Sequence, residues 1–218
     1  MLNLKSEINS DQSVRILCLG AHSDDLEIGC GGTILRLLRL YKNAEIVWIV
    51  FAGAGVRKTE AKEAAGLFLR AAAKKKIVIK TFRDGFFPYN VGEIKEYFEK
   101  LKQIFSVDII FTHYRHDLHQ DHRLISELTW NTFRNHLILE YEVMKYDGDM
   151  GSPNLFVELN EETCRMKIEY IQHSFKSQRA KQWFSEDVFR ALMRLRGVEC
   201  NSPSKYAEAF YCRKIVFL

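Results

Sequence analysis

The stretch VRILCLGAHSDDLEIGCGGT (residues 14–33) decides the fold class of this chain. Its first part, residues 14–21, is a short apolar run that ends in small residues, which is typical of a strand buried on both faces. The polar, glycine-rich segment HSDDLEIGCGG (22–32) is predicted to be a loop. A helix is predicted to follow it, because TILRLLRLYK (33–42) repeats its apolar residues at helical spacing.

The same alternation of buried strand and amphipathic helix continues along the chain. Further strands are predicted at 45–53, 76–82 and 107–113, and helices at 57–73, 92–105 and 122–135. Strands that alternate with helices of about 10 to 15 residues predict βαβ units and a mostly parallel sheet. We therefore expect an α/β, Rossmann-like fold with helices on both faces of the sheet.

The pattern changes after residue 136 without any linker or repeat. Strands are predicted at 137–144, 154–159 and 209–218, and helices at 161–173 and 186–197. We interpret this part as an extension of the same domain, so that residues 14–218 form a single domain behind a loose, polar leader of residues 1–13.

Composition limits the possible environments and partners of the protein. The 218 residues are 47% hydrophobic and 28% charged, which is enough apolar material for one well-buried core. The longest uncharged apolar run, 46–56, is much shorter than the ~20 residues of a membrane span, and the N-terminus lacks a signal-peptide pattern. The net charge of +4 is too small to indicate nucleic-acid binding. We expect a cytoplasmic protein with no membrane span and no nucleic-acid partner, and homo-oligomer formation stays open.

The cysteines and the missing motifs exclude several classes of protein. Five cysteines without any CxxC pair indicate reduced thiols, and Cys30 has no second cysteine nearby to form a zinc site with it. The sequence contains neither the GxGxxG of dinucleotide-binding folds nor the GxSxG of serine hydrolases.

Histidines and aspartates concentrate in two segments, each of which follows a predicted strand. In parallel sheets, ligands bind at the carboxyl ends of the strands. His22 and Asp25 are three residues apart, and a distant histidine can complete a set of three ligands that leaves one coordination position open, as in catalytic zinc sites. The first segment carries His22, Asp24 and Asp25, and the second carries His113, His116, Asp117, His119, Asp121 and His122.

Two of these segments carry a resemblance to a known family. AHSDDLEIGCGGT (21–33) resembles the AHPDD-x-x-x-G-CGGT signature of the LmbE-like, or PIG-L, N-deacetylases, and HDLHQDH (116–122) is similar to their second motif, D-x-H-x-D-H. Arg57 and Glu60 resemble the family's R-x-x-E element, and YAEAF (206–210) resembles its C-terminal strand. Ser23 stands where the family usually has proline.

The resemblance implies a zinc-dependent hydrolase that removes an acyl group, typically acetyl, from the nitrogen of an amino sugar such as N-acetylglucosamine or of a related conjugate. One Zn²⁺ per chain is expected, with other divalent transition metals possible. The resemblance implies His22, Asp25 and His122 as metal ligands, Asp24 as general base, His119 as oxyanion stabiliser or general acid, Asp121 as the residue that orients His119, and Arg57 as a substrate-binding residue.

Some assignments stay open at the level of sequence. Asp84, in the turn after the third predicted strand, is placed to touch substrate and is equally a plausible turn residue. His113, His116 and Asp117 have no assigned role. Two other functions compete with the deacetylase: a catalytically silent sugar- or metal-binding protein of the same fold, and a mononuclear Fe(II) enzyme.

Overall fold

A seven-stranded sheet organises the molecule, in a computed structural model that describes residues 13–104 and 106–215. Its spatial order is β3-β2-β1-β4-β5-β7-β6. The first five strands pair in parallel, and β7 runs antiparallel to both of its neighbours. The strands are β1 (Arg15–His22), β2 (Glu45–Ala52), β3 (Lys74–Ile79), β4 (Ile109–His113), β5 (Leu137–Tyr141), β6 (Leu155–Leu159) and β7 (Tyr206–Cys212).

Helices cover both faces of this sheet, which confirms the predicted α/β, Rossmann-like class. Alternate residues of β1 enter two separate cores: Ile16 and Cys18 pack into one, and Leu17 and Leu19 into the other. Helices α1, α2, α5 and α6 bury side chains in the first core, and α3 and α4 in the second. The helices are α1 (Asp25–Leu40), α2 (Gly55–Phe68), α3 (Val91–Ile104), α4 (Gln120–Thr132), α5 (Glu161–Ser174) and α6 (Glu186–Glu199).

The predicted loop at 22–32 is wrong, because α1 already begins at Asp25. The glycines of this segment allow α1 to pack closely against aromatic side chains. A Cβ atom on Gly29 would lie 2.1 Å from the ring of Tyr141, and one on Gly31 would lie 2.5 Å from the ring of Phe68. Glycine is a poor helix former in isolation, but here tertiary packing decides the conformation.

Other boundaries differ from the predicted ones by a few residues. Helix α2 ends at Phe68 and not at residue 73, and β7 begins at Tyr206, three residues before the predicted start. The predicted leader, apart from residue 13, lies outside the described residues, as do residue 105 and the predicted strand residues 216–218. Within the described parts of the chain, no helix has the length and apolarity needed to cross a membrane.

Candidate metal centre

Three side chains converge where β1 and β4 end beside each other. His22 is the last residue of β1, Asp25 begins α1, and His122 lies in the first turn of α4. His22 Nδ1 is 3.1 Å from His122 Nε2. The Asp25 carboxylate lies 3.5 Å from each of these nitrogens, through Oδ2 to His22 and Oδ1 to His122. The structure thus brings His122 to the two residues that lie 100 and 97 positions before it in the sequence.

This arrangement fits a single metal ion. Ligand atoms of a tetrahedral zinc site, with bonds of about 2.0–2.1 Å, are separated by roughly 3.3 Å. The separations between His22, Asp25 and His122 are close to that value, with a different oxygen of Asp25 facing each imidazole. Sets in which all potential ligand atoms lie within 4.8 Å of one another are His22/His119/His122, His22/Asp84/His119/Asp121 and Asp25/His113/His122. Two imidazole nitrogens and a carboxylate oxygen are also an ordinary donor set for zinc.

The electrostatics of the cluster set the protonation of each side chain. Although burial opposes ionisation, His122, His113 and His22 hold the pKa of Asp25 well below its usual value, so Asp25 is a carboxylate. Burial and the nearby His113 lower the pKa of His122 to about 4, so its imidazole is neutral. Against the effect of burial, Asp25, Asp121 and Asp84 raise the pKa of His22 well above its usual value. A metal ion would therefore displace a proton from His22.

Asp117 orients His122. Its Oδ2 lies 2.8 Å from His122 Nδ1 and accepts a hydrogen bond from Lys145 Nζ at 3.0 Å, while its Oδ1 accepts the backbone N–H of His119. Despite its burial, the hydrogen bond to His122 holds the pKa of Asp117 far below its usual value. Carboxylates in this position fix the orientation of metal-binding imidazoles. Sequence reasoning left Asp117 without a role, although it is the first aspartate of D-x-H-x-D-H.

His113 lies beside the carboxylate of Asp25. It is fully buried, its Nε2 accepts the backbone N–H of Ala21 at 2.9 Å, and the same atom lies 3.2 Å from Asp25 Oδ2. Its ring stacks on His122 with a centroid distance of 3.9 Å. His116, by contrast, packs edge-on against Tyr114 at a separate surface groove. The sequence therefore placed both histidines near the site, and the structure brings only His113 to it.

Asp24, next to Asp25 in the sequence, pairs with Arg57. Its Oδ1 lies 2.8 Å from the guanidinium of Arg57, which also contacts Glu60 at 3.3 Å. Glu60 is in turn held by the backbone N–H and the hydroxyl of Ser177. Asp24 Oδ2 has no hydrogen-bond partner among the described residues. Burial raises the pKa of Asp24, and Arg57 partly offsets this effect.

His119 presents one ring nitrogen to the cleft. Its Nδ1 accepts the backbone N–H of Asp121 at 3.3 Å and so caps the N-terminus of α4. A neutral ring that accepts at Nδ1 carries its proton on Nε2. Burial and the charge of His22 lower the pKa of His119. Its ring lies 4.8 Å from that of His22 and 4.7 Å from that of His122, measured between centroids.

The side chain of Asp121 does not orient His119, contrary to the sequence-based expectation. Its Oδ2 lies 3.1 Å from His22 Nε2, and its two oxygens accept the backbone N–H groups of Gly85 and Phe87 at 2.7 and 3.1 Å. These two donors come from the segment after β3, in which the sequence analysis singled out only Asp84. Asp121 therefore orients His22.

A cleft of about 780 Å³ opens onto these residues. Arg57 and Asp84, the two residues expected to bind substrate, both line it. The Asp84 carboxylate is mostly exposed, and its Oδ1 lies 3.0 Å from His22 Nε2. The lining also includes aromatic and basic side chains outside the predicted site residues: Phe82, Tyr146, Trp183, Arg83 and Lys181.

Fold and site together define an α/β protein with a His/Asp cluster able to hold a metal ion at the carboxyl ends of neighbouring parallel strands. Residues 17–133, more than half of the chain, match the model of the PIG-L family, described as GlcNAc-PI de-N-acetylase. The chain belongs to the PIG-L, or LmbE-like, family, and the resemblance found in the sequence is confirmed.

Solved structures share this fold at low sequence identity. The N,N'-diacetylchitobiose deacetylase from Pyrococcus horikoshii is 20% identical, with a TM-score of 0.65 over 90% of this chain and 82% of that one. The zinc-inhibited form of the teicoplanin deacetylase Orf2 is 16% identical, with a TM-score of 0.71 over 91% and 97% of the two chains.

One similar structure is an enzyme of another class. The 4-carboxy-2-hydroxymuconate hydratase GalB from Pseudomonas putida is 14% identical, with a TM-score of 0.68 over 94% of this chain and 98% of that one. Likeness at this level establishes the fold, and the reaction has to be argued from the site. A search among curated proteins finds no match.

Proposed function

We propose that this protein is a zinc-dependent amide hydrolase that removes an N-acyl group, most simply acetyl, from a small amino sugar or amino-sugar conjugate. The observation that carries the proposal is the position of Asp24. It is a buried carboxylate with a raised pKa, directly next to Asp25 in the cluster of possible metal ligands. Asp24 is thus free to accept a proton while Asp25 binds the metal ion.

His22, Asp25 and His122 are the proposed ligands of one metal ion. His113 is also close, but the nitrogen that faces Asp25 already accepts the Ala21 N–H. His119 is close through its ring, but its Nδ1 accepts the Asp121 N–H. When bound, zinc supplies a Lewis acid that lowers the pKa of water to roughly 7 and polarises a carbonyl.

Asp24 is the proposed general base that accepts a proton from the attacking water. Arg57 contacts Oδ1, whereas Oδ2 is buried and has no hydrogen-bond partner among the described residues, so Oδ2 is the atom proposed to receive the proton. Because burial raises its pKa, Asp24 is a stronger base than an exposed aspartate.

His119 is the proposed donor to the oxyanion that forms from the amide carbonyl. The Nε2–H that its hydrogen bonding favours can donate in the neutral form, and the same nitrogen can pass a proton to the leaving amine.

The cleft supports an amino sugar as substrate. Aromatic side chains such as Trp183 and Tyr146 offer flat faces for the apolar side of a sugar ring, and Asp84 and Arg57 can bond to its hydroxyl groups. Neither aromatic residue belongs to the sequence motifs.

An amine-release assay tests the proposal. Purified protein is incubated with a panel of N-acetyl sugars and their conjugates, with and without added Zn²⁺, and the primary amine released is detected with fluorescamine. We expect release that depends on Zn²⁺ and is lost in Asp24→Asn. Metal content near zero in the purified protein even after Zn²⁺ addition, or equal turnover by Asp24→Asn, would show that the site works differently.

A further inference from the structure

A buried ion pair contacts backbone polar groups of α1. Lys167 in α5 and Glu208 in β7 lie 2.6 Å apart, and both side chains are almost fully buried. Lys167 Nζ donates to the carbonyl of Ile28 at 2.6 Å. The two carboxylate oxygens of Glu208 accept the backbone N–H groups of Gly32 and Thr33 at 2.8 and 2.6 Å.

These contacts occupy groups that a regular helix would bond to each other. In an α-helix the N–H of residue 32 donates to the carbonyl of residue 28. Here the Ile28 carbonyl has an ammonium partner and the Gly32 N–H has a carboxylate partner. The ion pair therefore contacts α1 where its first turn meets the remainder of the helix.

The first turn of α1 is the part that carries the site. Asp24 immediately precedes it, Asp25 begins it, and Ile28 lines the cleft. On another side of the same turn, Gly29 packs against the ring of Tyr141 without room for a Cβ atom. The position of the turn is thus fixed by one apolar contact and by the buried pair.

Gly32 makes the approach of the carboxylate possible. A Cβ atom at this position would lie 2.9 Å from Glu208 Oε1 and 2.6 Å from a methyl group of Leu159. This contact joins two sequence motifs that are 176 residues apart, the GCGGT segment and the YAEAF strand.

Stability alone does not explain a pair of this kind. Removing two charges from water costs about as much free energy as their attraction returns, and apolar replacements of buried pairs are often neutral or stabilising. We propose that Lys167 and Glu208 are positioning residues, which hold the first turn of α1 where Asp25 meets His22 and His122 and where Asp24 faces the cleft. The consequences for metal and catalysis rest on the proposed function, whereas the effect on α1 does not.

The double variant Lys167→Met/Glu208→Met tests the proposal without leaving a lone buried charge. With both side chains replaced, α1 loses these contacts with α5 and β7, and we expect its first turn to shift while the protein stays folded. Metal affinity, measured by competition with a chelator, should fall about 10- to 100-fold. The kcat should fall by about 10²-fold with a smaller change in KM.

Two further variants separate positioning from a general loss of packing. Gly32→Ala keeps both charges and pushes the carboxylate away, so it should lower metal affinity in the same direction. The control Glu140→Met/Arg213→Met removes another ion pair with a buried carboxylate, whose hydrogen bonds go to Arg115, Trp130 and Arg213. It should leave metal affinity unchanged in the folded protein.

A crystal structure of the double variant tests whether Lys167 and Glu208 position the first turn of α1, and this test does not require bound metal. Displacement of Asp24 and Asp25 relative to His122 is expected. The proposal is overturned if these residues keep their positions, or if Gly32→Ala and the folded double variant both bind metal as the unaltered protein does. Should the unaltered protein bind no metal, the proposed function fails, and the position of the turn in the variant still tests the role of the pair.

Discussion

Asp24 and Asp25 are adjacent in sequence, yet their carboxylates have different partners. Asp25 lies among three imidazoles, whereas Asp24 contacts the guanidinium of Arg57. We therefore expect Asp25→Asn to lose its metal. Asp24→Asn should keep its metal and lose about 10²- to 10⁴-fold in kcat, the usual cost of removing a general base. Elemental analysis together with steady-state kinetics distinguishes the two, and equal metal loss in both variants would contradict the assignment.

Arg57 should control the pH at which Asp24 becomes active. A general base accepts protons only when ionised, so kcat/KM should rise with pH through the pKa of Asp24. Burial raises this pKa and Arg57 lowers it. Arg57→Ala should therefore move the acidic limb of the pH–rate profile to higher pH. Lys58→Ala, at the exposed neighbouring position, is the matched control and should leave the limb in place. An unshifted limb in Arg57→Ala would mean that another group is titrating.

His119 and His116 offer a comparison between a histidine in the cleft and one outside it. His119→Ala removes the proposed donor to the oxyanion, which should lower kcat by about 10²- to 10³-fold and leave metal content unchanged. His116→Ala should alter neither quantity, because its ring packs on Tyr114 at a separate groove. The kinetics of the two variants, measured side by side, test the role of His119, and a normal kcat in His119→Ala would refute it.

At the scale of elements, two helical glycines should respond in opposite ways to the same substitution. Gly29→Ala puts a methyl group into the ring of Tyr141, and such overpacking typically costs about 1–3 kcal/mol. Gly66, within α2, has no atom of another residue near the position of an added Cβ. Gly66→Ala should therefore stabilise the protein by about 0.5–1 kcal/mol. Urea unfolding of both variants measures the difference, and a destabilised Gly66→Ala would contradict the packing argument.

The start of α1 shows where prediction from sequence stops. Apolar periodicity located the strands and helices because it reflects burial, which each segment carries in its own residues. Three glycines in four residues favour a loop on propensity alone. Their helical conformation depends on Tyr141, Phe68 and Glu208, which are remote in sequence.

The candidate site could likewise be predicted only in part from the sequence. His22 and Asp25 follow the first predicted strand, where parallel sheets bind ligands, so the sequence indicated them as candidate ligands, and the family resemblance implied His122 as the third. The contact of Asp121 with His22 depends on two backbone N–H groups in the loop after β3. The conformation of that loop could not be predicted from the sequence. Trp183 lies in a segment without any motif, and only the folded chain brings it to the cleft.

At the scale of the whole molecule, the two cores predict the reactivity of the thiols. Cys18, Cys30, Cys164 and Cys200 are buried free thiols, and Cys212 is partly exposed. Burial raises the pKa of Cys164 to about 12, and that of Cys30 well above its usual value. Since the thiolate is the reactive form, a disulfide reagent at pH 8 should modify Cys212 first and the others only slowly.

Counting the thiols that react with time in the native and in the denatured protein checks this expectation. Denaturant should expose all five cysteines. Cys212→Ser should remove the early fraction of the native reaction, and rapid modification of several thiols in the folded protein would mean that the cores open easily.

The place of β7 between β5 and β6 has a consequence for how the protein is made. A ribosome adds about 5–20 residues per second, so the segment 160–205 takes several seconds to synthesise after β6. During that interval β6 has been synthesised before β7, the strand with which it pairs. Glu208, which accepts a hydrogen bond from α1, has not yet been added to the chain. The proposed metal ligands, all before residue 123, have been synthesised by then, but the nascent chain still lacks the carboxylate that accepts hydrogen bonds from α1. The contacts between α1 and β7 are therefore completed only after the residues of the candidate site have been made.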